Sequence, residues 1–208
     1  FDEEDDRDLQ ERDVEAVLAA IGRAMPQATA VVFEDYNKGV LVPAVIEGAI
    51  AMARARQLPV VVDPKFRNFF AYRGATVFKP NRRELESALG AAVDLDHPAT
   101  LPDTLARLGV EHLLLTLGEH GMALVSADTA ATGVVHRVPT TAREVYDVVG
   151  AGDTVTAYLA TMLAAGATAR EAAVVANFAA GVEVGKLGAA TVSPDEVLEA
   201  YDHHLHSS

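Results

Sequence analysis

The sequence predicts an α/β fold in which a mostly parallel sheet carries helices on both faces and ends in a short antiparallel edge. Helical patterns alternate with short β-branched runs, which is typical of α/β folds. The candidate strands are apolar along their length, as expected for a parallel sheet that is covered on both faces. Over residues 121–138 the pattern changes to two short strands around Ser126-Ala127-Asp128, which indicates the antiparallel edge.

The elements follow one another without an internal repeat or a linker, so residues 1–208 are predicted to form a single domain. Apolar residues at helical spacing predict the first helices, and β-branched runs predict the strands between them. Gly166 separates two Ala-rich helices, the first from Thr154 to about Ala165, and Pro194 starts the last helix. The earlier elements are predicted as helix 8–25, strand 30–33, helix 43–56, strand 59–62, strand 75–78, helix 82–89, helix 99–108 and strand 112–116.

Composition excludes several classes of function. The formal charge of −13 disfavours nucleic acid or an anionic membrane as the main partner, because both require clustered Lys and Arg. No apolar run approaches the roughly 18 residues of a membrane span. The absence of cysteine excludes disulfides and thiolate chemistry, and it suits a reducing cytoplasm. The acidic N-terminus cannot be a secretory signal.

The glycine-rich turn within residues 147–154 is the most informative segment. Gly150, Ala151 and Gly152 let successive backbone N–H groups point at one spot, and the following helix adds its positive dipole end, so a phosphoryl group is a natural occupant. Asp153 stands beside this turn, where one carboxylate could orient or deprotonate a nucleophile. A dinucleotide fingerprint does not fit, because its sixth position requires Gly or Ala and is Val155 here. A P-loop does not fit either, because the Lys that it requires after the second Gly is absent. A tight turn capped by Asp153 is the structural alternative.

Four predicted strands end in loops with charged residues or glycine. Because ligands of open α/β sheets bind beyond the carboxyl ends of the strands, agreement among these loops and the glycine turn favours a site there. Each loop taken alone is better explained as a solvated turn than as a site. The loops are Asp35-Tyr36-Asn37-Lys38-Gly39, Asp63-Pro64-Lys65, Lys79-Pro80-Asn81 and Thr116-Leu117-Gly118.

Four further sets of residues carry both a structural and a functional interpretation. Asn81 and Glu84 have the spacing of a helix capping box, and they could also hold a hydrated Mg²⁺ with its phosphate. The glycines of residues 116–121 form either a hairpin turn or a close approach to a nucleotide. Lys38 and Lys65 are candidate phosphate clamps or merely solvated side chains. The histidine-rich end, His203-His204-Leu205-His206, is better explained as a disordered tail, residues 202–208, than as a metal site.

In this order, the motifs resemble those of the ribokinase (PfkB) family of carbohydrate kinases. Residues 147–157 match the family's C-terminal signature. The next residue, Tyr158, departs from the family pattern, in which a small residue is usual at that position. The resemblance implies ATP and Mg²⁺ as cofactors, a ribokinase-like fold, Asp153 as the catalytic base and an anion hole formed by the amides of the glycine turn. It assigns nucleotide contacts to the N-x-x-E motif Asn81-Arg82-Arg83-Glu84, to Thr116, Gly118 and Gly121 of the T-x-G-x-x-G loop, and to Asn177, with Glu84 holding Mg²⁺ through water. It further implies a K⁺ site at Asp147.

Within the family, five loops resemble the D-glycero-β-D-manno-heptose 7-phosphate kinases of lipopolysaccharide core synthesis. The likeness implies that the acceptor is this heptose phosphate, bound by Asp35, Lys38 and Lys65, and that the product is the 1,7-bisphosphate. Another sugar or nucleoside acceptor, or a nucleotide-binding fragment without turnover, remains the alternative. The loops are residues 35–39, 62–65, 72–76, 144–148 and 185–188.

The sequence also departs from the family pattern. The Gly-Gly sugar signature and most of the β-lid are missing, and residues 1–7 resemble only the last lid strand. The acceptor site is therefore expected to be incomplete, and the homodimer that the lid allows is expected only in a full-length protein. No H-x-G-H motif of a fused nucleotidyltransferase domain is found.

Overall fold

The computed structural model describes residues 6–127, 134–142, 149–188 and 190–207, and within them the predicted sheet is confirmed. Its six strands lie in the order β1 to β6. Strands β1 to β4 are parallel, and β5 and β6 add the antiparallel edge. The strands are β1 Val31–Glu34, β2 Val60–Asp63, β3 Val77–Phe78, β4 His112–Thr116, β5 Met122–Ser126 and β6 His136–Val138.

Helices cover both faces of the sheet because side chains alternate along each strand. Val60 and Val62 face a core shared with α2, α3 and α4, whereas Val61 faces a second core shared with α5 and α6. This explains why β2 is apolar at every position before its terminal aspartate. The helices are α1 Glu11–Ala24, α2 Pro43–Ala55, α3 Arg82–Leu89, α4 Leu101–Leu108, α5 Ala151–Ala164, α6 Ala169–Glu183 and α7 Pro194–Ser207.

Two elements differ from their predicted bounds, and the first of them belongs to the candidate site. Helix α5 begins at Ala151 rather than at Thr154, because Gly150 takes a left-handed φ of 92° and starts the helix at once. Gly152 and Asp153 consequently lie in its first turn. Residues 98–100 form a 3₁₀ turn ahead of α4, where one continuous helix was expected.

The chain end also differs from expectation. Residues 202–207 continue α7 instead of forming a disordered tail. Aromatic contacts explain the order, because the rings of Tyr201 and His204 pack edge-on against Phe178 at centroid distances of 5.4 and 5.5 Å. Of the predicted lid remnant, residues 1–5 lie outside the described part of the chain, and Asp6 and Arg7 belong to no strand.

Tyr158, the departure from the family signature, has a structural role. Its ring packs between the α5–α6 core and a smaller cluster that includes Val197 of α7. Its hydroxyl donates a hydrogen bond of 3.0 Å to the carbonyl of Val192. The tyrosine thereby ties α5 to the segment that leads into α7. Among the described helices, none combines the length and the apolar character that a membrane crossing requires.

Candidate active site

The carboxyl ends of the parallel strands β1 to β4 lie at one edge of the sheet, and α5 packs against β1 and β2 with its first turn at that edge, where the sheet topology predicts a site. Glu34 and Asp63 are the last residues of β1 and β2, and Lys79 follows β3 directly. Asn81 forms an isolated parallel bridge with Thr116, which extends the pairing of β3 and β4 beyond the regular strands. The predicted motifs from separate loops are thus brought to one edge of the sheet.

The first turn of α5 has the features of an anion site. The first N–H groups of a helix have no acceptor within the helix, and here they belong to Ala151, Gly152 and Asp153. The helix dipole adds a partial positive charge at the same end. A Cβ at Gly152 would lie 3.7 Å from both Lys79 Nζ and Asp63 Oδ2, so this turn sits directly over a buried ion pair.

Asp153 projects from this turn with an exposed side chain. The hydroxyl of Tyr36 lies 3.4 and 3.5 Å from its two carboxylate oxygens and donates a long hydrogen bond to them. The negative charge of Asp153, together with burial as the larger cause, raises the pKa of Tyr36 above its ordinary value. The geometry is compatible with the base role implied by the family resemblance, which stays a prediction.

Lys79 and Asp63 form a buried ion pair beneath the turn. The lysine is 3% exposed, the aspartate is 6% exposed, and Nζ lies 2.8 Å from Oδ2. Lys65 Nζ lies 3.9 Å from the other Asp63 oxygen and 3.1 Å from Glu84 Oε1. Burial alone would lower the pKa of Lys65, but the two carboxylates outweigh burial and raise it. Lys65 is therefore already paired within the protein.

Sequence reasoning missed Glu34, although it borders the site. One carboxyl oxygen each from Glu34, Asp63 and Asp153 lies within 4.8 Å of the others. Burial is the largest cause that raises the pKa of Glu34 to about 8, followed by the charge of Asp63 and a hydrogen bond to its carboxyl group. The available signal was a charged residue at the end of an apolar strand, the same signal that marks Asp63.

A cavity of about 720 Å³ adjoins the α5 turn, within the range typical of small-ligand sites. It brings together five of the eight predicted nucleotide residues with Gly152 of the predicted anion hole. The five are Asn81, Thr116, Gly118, Gly121 and Asn177. Arg82 and Arg83 instead line a neighbouring cavity of about 570 Å³, which shares Asn81 and Thr116 with the first. Arg82 is engaged there by Glu86 at 2.9 Å and by the carbonyl of Val93.

The capping box predicted for Asn81 and Glu84 is present. The Asn81 side chain accepts the Glu84 N–H at 2.8 Å, and Glu84 Oε2 accepts the Asn81 N–H at 2.8 Å. Since Glu84 Oε1 accepts a hydrogen bond from Lys65, each carboxylate oxygen already has one partner. Such a carboxylate suits a hydrated Mg²⁺, whose waters donate hydrogen bonds, better than direct coordination.

The glycines of the 116–121 loop serve different purposes. A Cβ at Gly121 would lie 2.1 Å from the Val138 carbonyl oxygen, so glycine is required there by the approach of the chain next to β6. Gly118 also has a positive φ, but a Cβ would meet nothing within 4 Å. Asn177 is buried and donates a hydrogen bond of 2.8 Å to the Pro139 carbonyl. It therefore fixes the cavity wall, and its contact with a nucleotide base stays a prediction.

The predicted acceptor residues differ in how far they are buried. Asp35 is 3% exposed, and its oxygens accept hydrogen bonds from the Tyr72 hydroxyl and the Asn37 N–H, both at 2.8 Å. In this structure Asp35 organises its loop, and sugar binding by it stays a prediction. Lys38 is exposed on the same loop. The predicted K⁺ ligand, Asp147, lies outside the described residues.

Comparison with known proteins agrees with this geometry. Residues 3–196 match the model of the pfkB family carbohydrate kinases. The chain is 48% identical over 172 residues to the bifunctional protein HldE of Pelobacter propionicus, covering 82% of this chain and 34% of that protein. It is 44% identical over 201 residues to HldE of Rhodospirillum rubrum, covering 96% and 40%. The chain thus spans well under half the length of these relatives.

Solved structures show the same fold. A ribokinase from Arabidopsis thaliana, complexed with ribose and ATP, superposes with a TM-score of 0.71 at 21% identity, over 93% of this chain and 60% of that one. Phosphofructokinase-2 from Escherichia coli, in complex with potassium, gives a TM-score of 0.76 at 16% identity, over 94% and 63%.

Proposed function

The chain belongs to the pfkB family of carbohydrate kinases, and from that premise we propose that it transfers the γ-phosphoryl group of ATP to the anomeric hydroxyl of D-glycero-β-D-manno-heptose 7-phosphate. The product would be the 1,7-bisphosphate. The observation that carries the proposal is the position of Asp153 in the first turn of α5, next to the cavity that collects the nucleotide motifs. A base, an anion hole and a nucleotide cavity then share one edge of the sheet.

The proposed reaction needs little covalent chemistry from the protein. Asp153 accepts the proton of the anomeric hydroxyl, and that oxygen forms a bond to the γ-phosphorus. The bond between the γ-phosphorus and the bridging oxygen breaks, and ADP leaves with the electron pair. The N–H groups of Ala151 and Gly152 stabilise the charge on the transferred group, as preorganised donors do in other phosphoryl transfers.

Mg²⁺ belongs to the proposal, and the residues present fit it. Glu84 would hold the ion through water, because its oxygens are already occupied by Asn81 and Lys65. When bound, Mg²⁺ would neutralise negative charge on the ATP phosphates. The role of Glu84 would be to keep its carboxylate oriented at the edge of the proposed nucleotide site. The capping box supplies that orientation.

The heptose acceptor rests on three supports. The loops at residues 35–39 and 62–65 resemble those of heptose 7-phosphate kinases, and the relatives named HldE are 44–48% identical to this chain. Lys38 carries positive charge in the loop after β1 of an otherwise acidic chain, which favours an acceptor that already carries a phosphate, whereas Lys65 would have to exchange its partner Glu84 to contact that phosphate. A cytoplasmic location is part of the same proposal.

Binding and turnover test the two halves of the proposal separately. Isothermal titration of the 208-residue chain with ATP and ADP should show binding in the presence of Mg²⁺. ADP release should then be measured over a panel of sugars and nucleosides, for this chain and for a longer protein that spans the whole kinase half of the relatives. We expect the longer protein to prefer heptose 7-phosphate. We expect the 208-residue chain to turn over poorly, because it does not contain the Gly-Gly sugar signature, and substrate positioning can supply roughly 7–11 kcal/mol of a barrier. Preference for another acceptor, or no nucleotide binding, would reject the proposal.

A further inference from the structure

Glu34 faces the catalytic edge of the sheet although no motif marks it. The preceding residue, Phe33, points into the core that includes α2. The following residue, Asp35, points to the same face, because its carboxylate accepts a hydrogen bond from the buried Tyr72. Because side chains alternate along a strand, Glu34 points to the opposite face, where α5 begins. There its carboxyl group lies within 4.8 Å of one oxygen each from Asp63 and Asp153.

Within the part of the chain that the structure describes, the cations around this cluster do not balance its three carboxyl groups. Lys79 is committed to Asp63 at 2.8 Å. Lys65 lies 3.9 Å from Asp63 but is closer to Glu84, at 3.1 Å. Tyr36, a further described titratable group at the cluster, donates a hydrogen bond to Asp153 and carries no positive charge. Carboxylates this close, with too few cations, cannot all stay ionised, and one of them keeps a proton.

Glu34 is the member with the weakest support for a negative charge. Among the described residues it has no basic partner within 4.0 Å, whereas Asp63 has two. It is also half-buried, while Asp153 is exposed. Burial, then the charge of Asp63 and the hydrogen bond between the two carboxyl groups, raises the pKa of Glu34 to about 8; Lys79 opposes this rise.

We propose that Glu34 is a positioning residue that remains protonated near neutral pH and donates a hydrogen bond to Asp63, so that Asp63 and Asp153 keep their negative charges. Asp63 then holds Lys79 beneath the anion hole, and Asp153 remains able to accept a proton. Ionisation of Glu34 would place a third negative charge next to the site for the transferred phosphoryl group. The effect on catalysis rests on the proposed function of Asp153, whereas the protonation of Glu34 does not.

The protonation is tested on the chain itself. Carboxyl ¹³C resonances of Glu-labelled protein, with the Glu34 signal assigned by its loss in Glu34→Gln, should give a midpoint near pH 8. A midpoint in the ordinary glutamate range of about 4–5 would overturn the proposal. The titration is repeated with MgCl₂ at constant ionic strength. A midpoint that moves to the lower range would show that a bound cation, rather than a proton, offsets the negative charge of the cluster, and it would also overturn the proposal. Glu47→Gln, an exposed change on α2, controls for loss of one charge elsewhere.

The catalytic part is tested by a pH profile of the longer kinase protein. Wild-type kcat should fall above pH 8, approaching about tenfold per pH unit well above the midpoint, and Glu34→Gln should remove that fall because a glutamine amide still donates to Asp63 without ionising. The Glu47→Gln profile should follow the wild type. If Glu34→Gln keeps the alkaline fall, the positioning role is wrong. If no variant turns over while the midpoint stays near 8, the proposed function fails and the protonated Glu34 stands.

Discussion

Replacement of Lys79 by methionine should strongly destabilise the protein, because it leaves Asp63 as a buried charge without its main partner. The two side chains are 3% and 9% exposed and 2.8 Å apart. Breaking a buried pair on one side typically costs about 3–5 kcal/mol. Lys65 remains 3.9 Å from Asp63, so we expect the lower end, about 3 kcal/mol. For a chain of this size this corresponds to a fall in Tm of roughly 6–12 °C.

Thermal and urea unfolding of four proteins at pH 7 measure the effect: wild type, Lys79→Met, Asp63→Asn and the double variant. The double variant should be more stable than the sum of the single losses predicts, with a coupling of about 2 kcal/mol or more, since neither charge is then left unpaired. Arg137→Met is the matched control, because Arg137 pairs with Asp96 at 2.6 Å while half-exposed, and an exposed pair contributes about 0–1 kcal/mol. A cost for Lys79→Met no larger than that of the control, or additive single losses, would refute the reasoning.

Four further predictions follow from the site. Asp153→Asn in the longer kinase should lower kcat by ~10²–10⁴ with nearly unchanged ATP affinity by titration calorimetry; equal kcat would reject Asp153 as the base. Glu84→Gln should raise the Mg²⁺ concentration needed for half-maximal rate with little change in Tm, since glutamine also serves in a capping box; an unmoved Mg²⁺ curve would leave Glu84 as a cap alone. Turnover should rise with K⁺ at constant ionic strength if Asp147 helps to hold that ion, and equal rates in K⁺, Na⁺ and a bulky organic cation would exclude it. Because the pKa of Glu34 lies above its unfolded value of 4.5, its unfolded form ionises first, and the free energy of unfolding should fall between about pH 4.5 and 8; urea melts across this range should show a smaller fall in Glu34→Gln.

The fold was predictable because its signals are local and repeated. The predicted bounds of α3 and β4 agree with the structure to the residue, since a capping box, a C-terminal glycine and a compact apolar run mark their ends. The start of α5 was placed three residues late. Small residues such as Gly150 and Gly152 suggest a loop by propensity, and only the left-handed φ at Gly150 shows that the helix begins immediately after it.

The site was predictable in part, for a different reason. Motif residues could be named singly, but their roles depend on partners that are distant in sequence. Asp35 is occupied by Tyr72, 37 positions away, and Lys65 by Glu84, 19 positions away. The sequence left Gly121 as either a turn residue or a nucleotide contact, and only the fold shows that the close approach of the Val138 carbonyl requires its missing Cβ. Glu34 was missed, and Lys79 was named only as part of a strand-end loop; the contact of each with Asp63 follows only from the distances that the sheet creates.

These distances also explain how so acidic a chain could present the anion site that we propose. The net charge of −13 acts over the surface and is screened by salt within about 8–10 Å, whereas the amides of the α5 turn and the ammonium group of Lys79 act at contact distance. Asp63 cancels the charge of Lys79 in part, and it also holds the lysine in place beneath Gly152. A proton on Glu34 removes one further negative charge from this edge. Attraction for a phosphoryl group is therefore set by a few buried or half-buried groups, and changes to distant surface acids should alter ATP affinity much less than a change at Lys79.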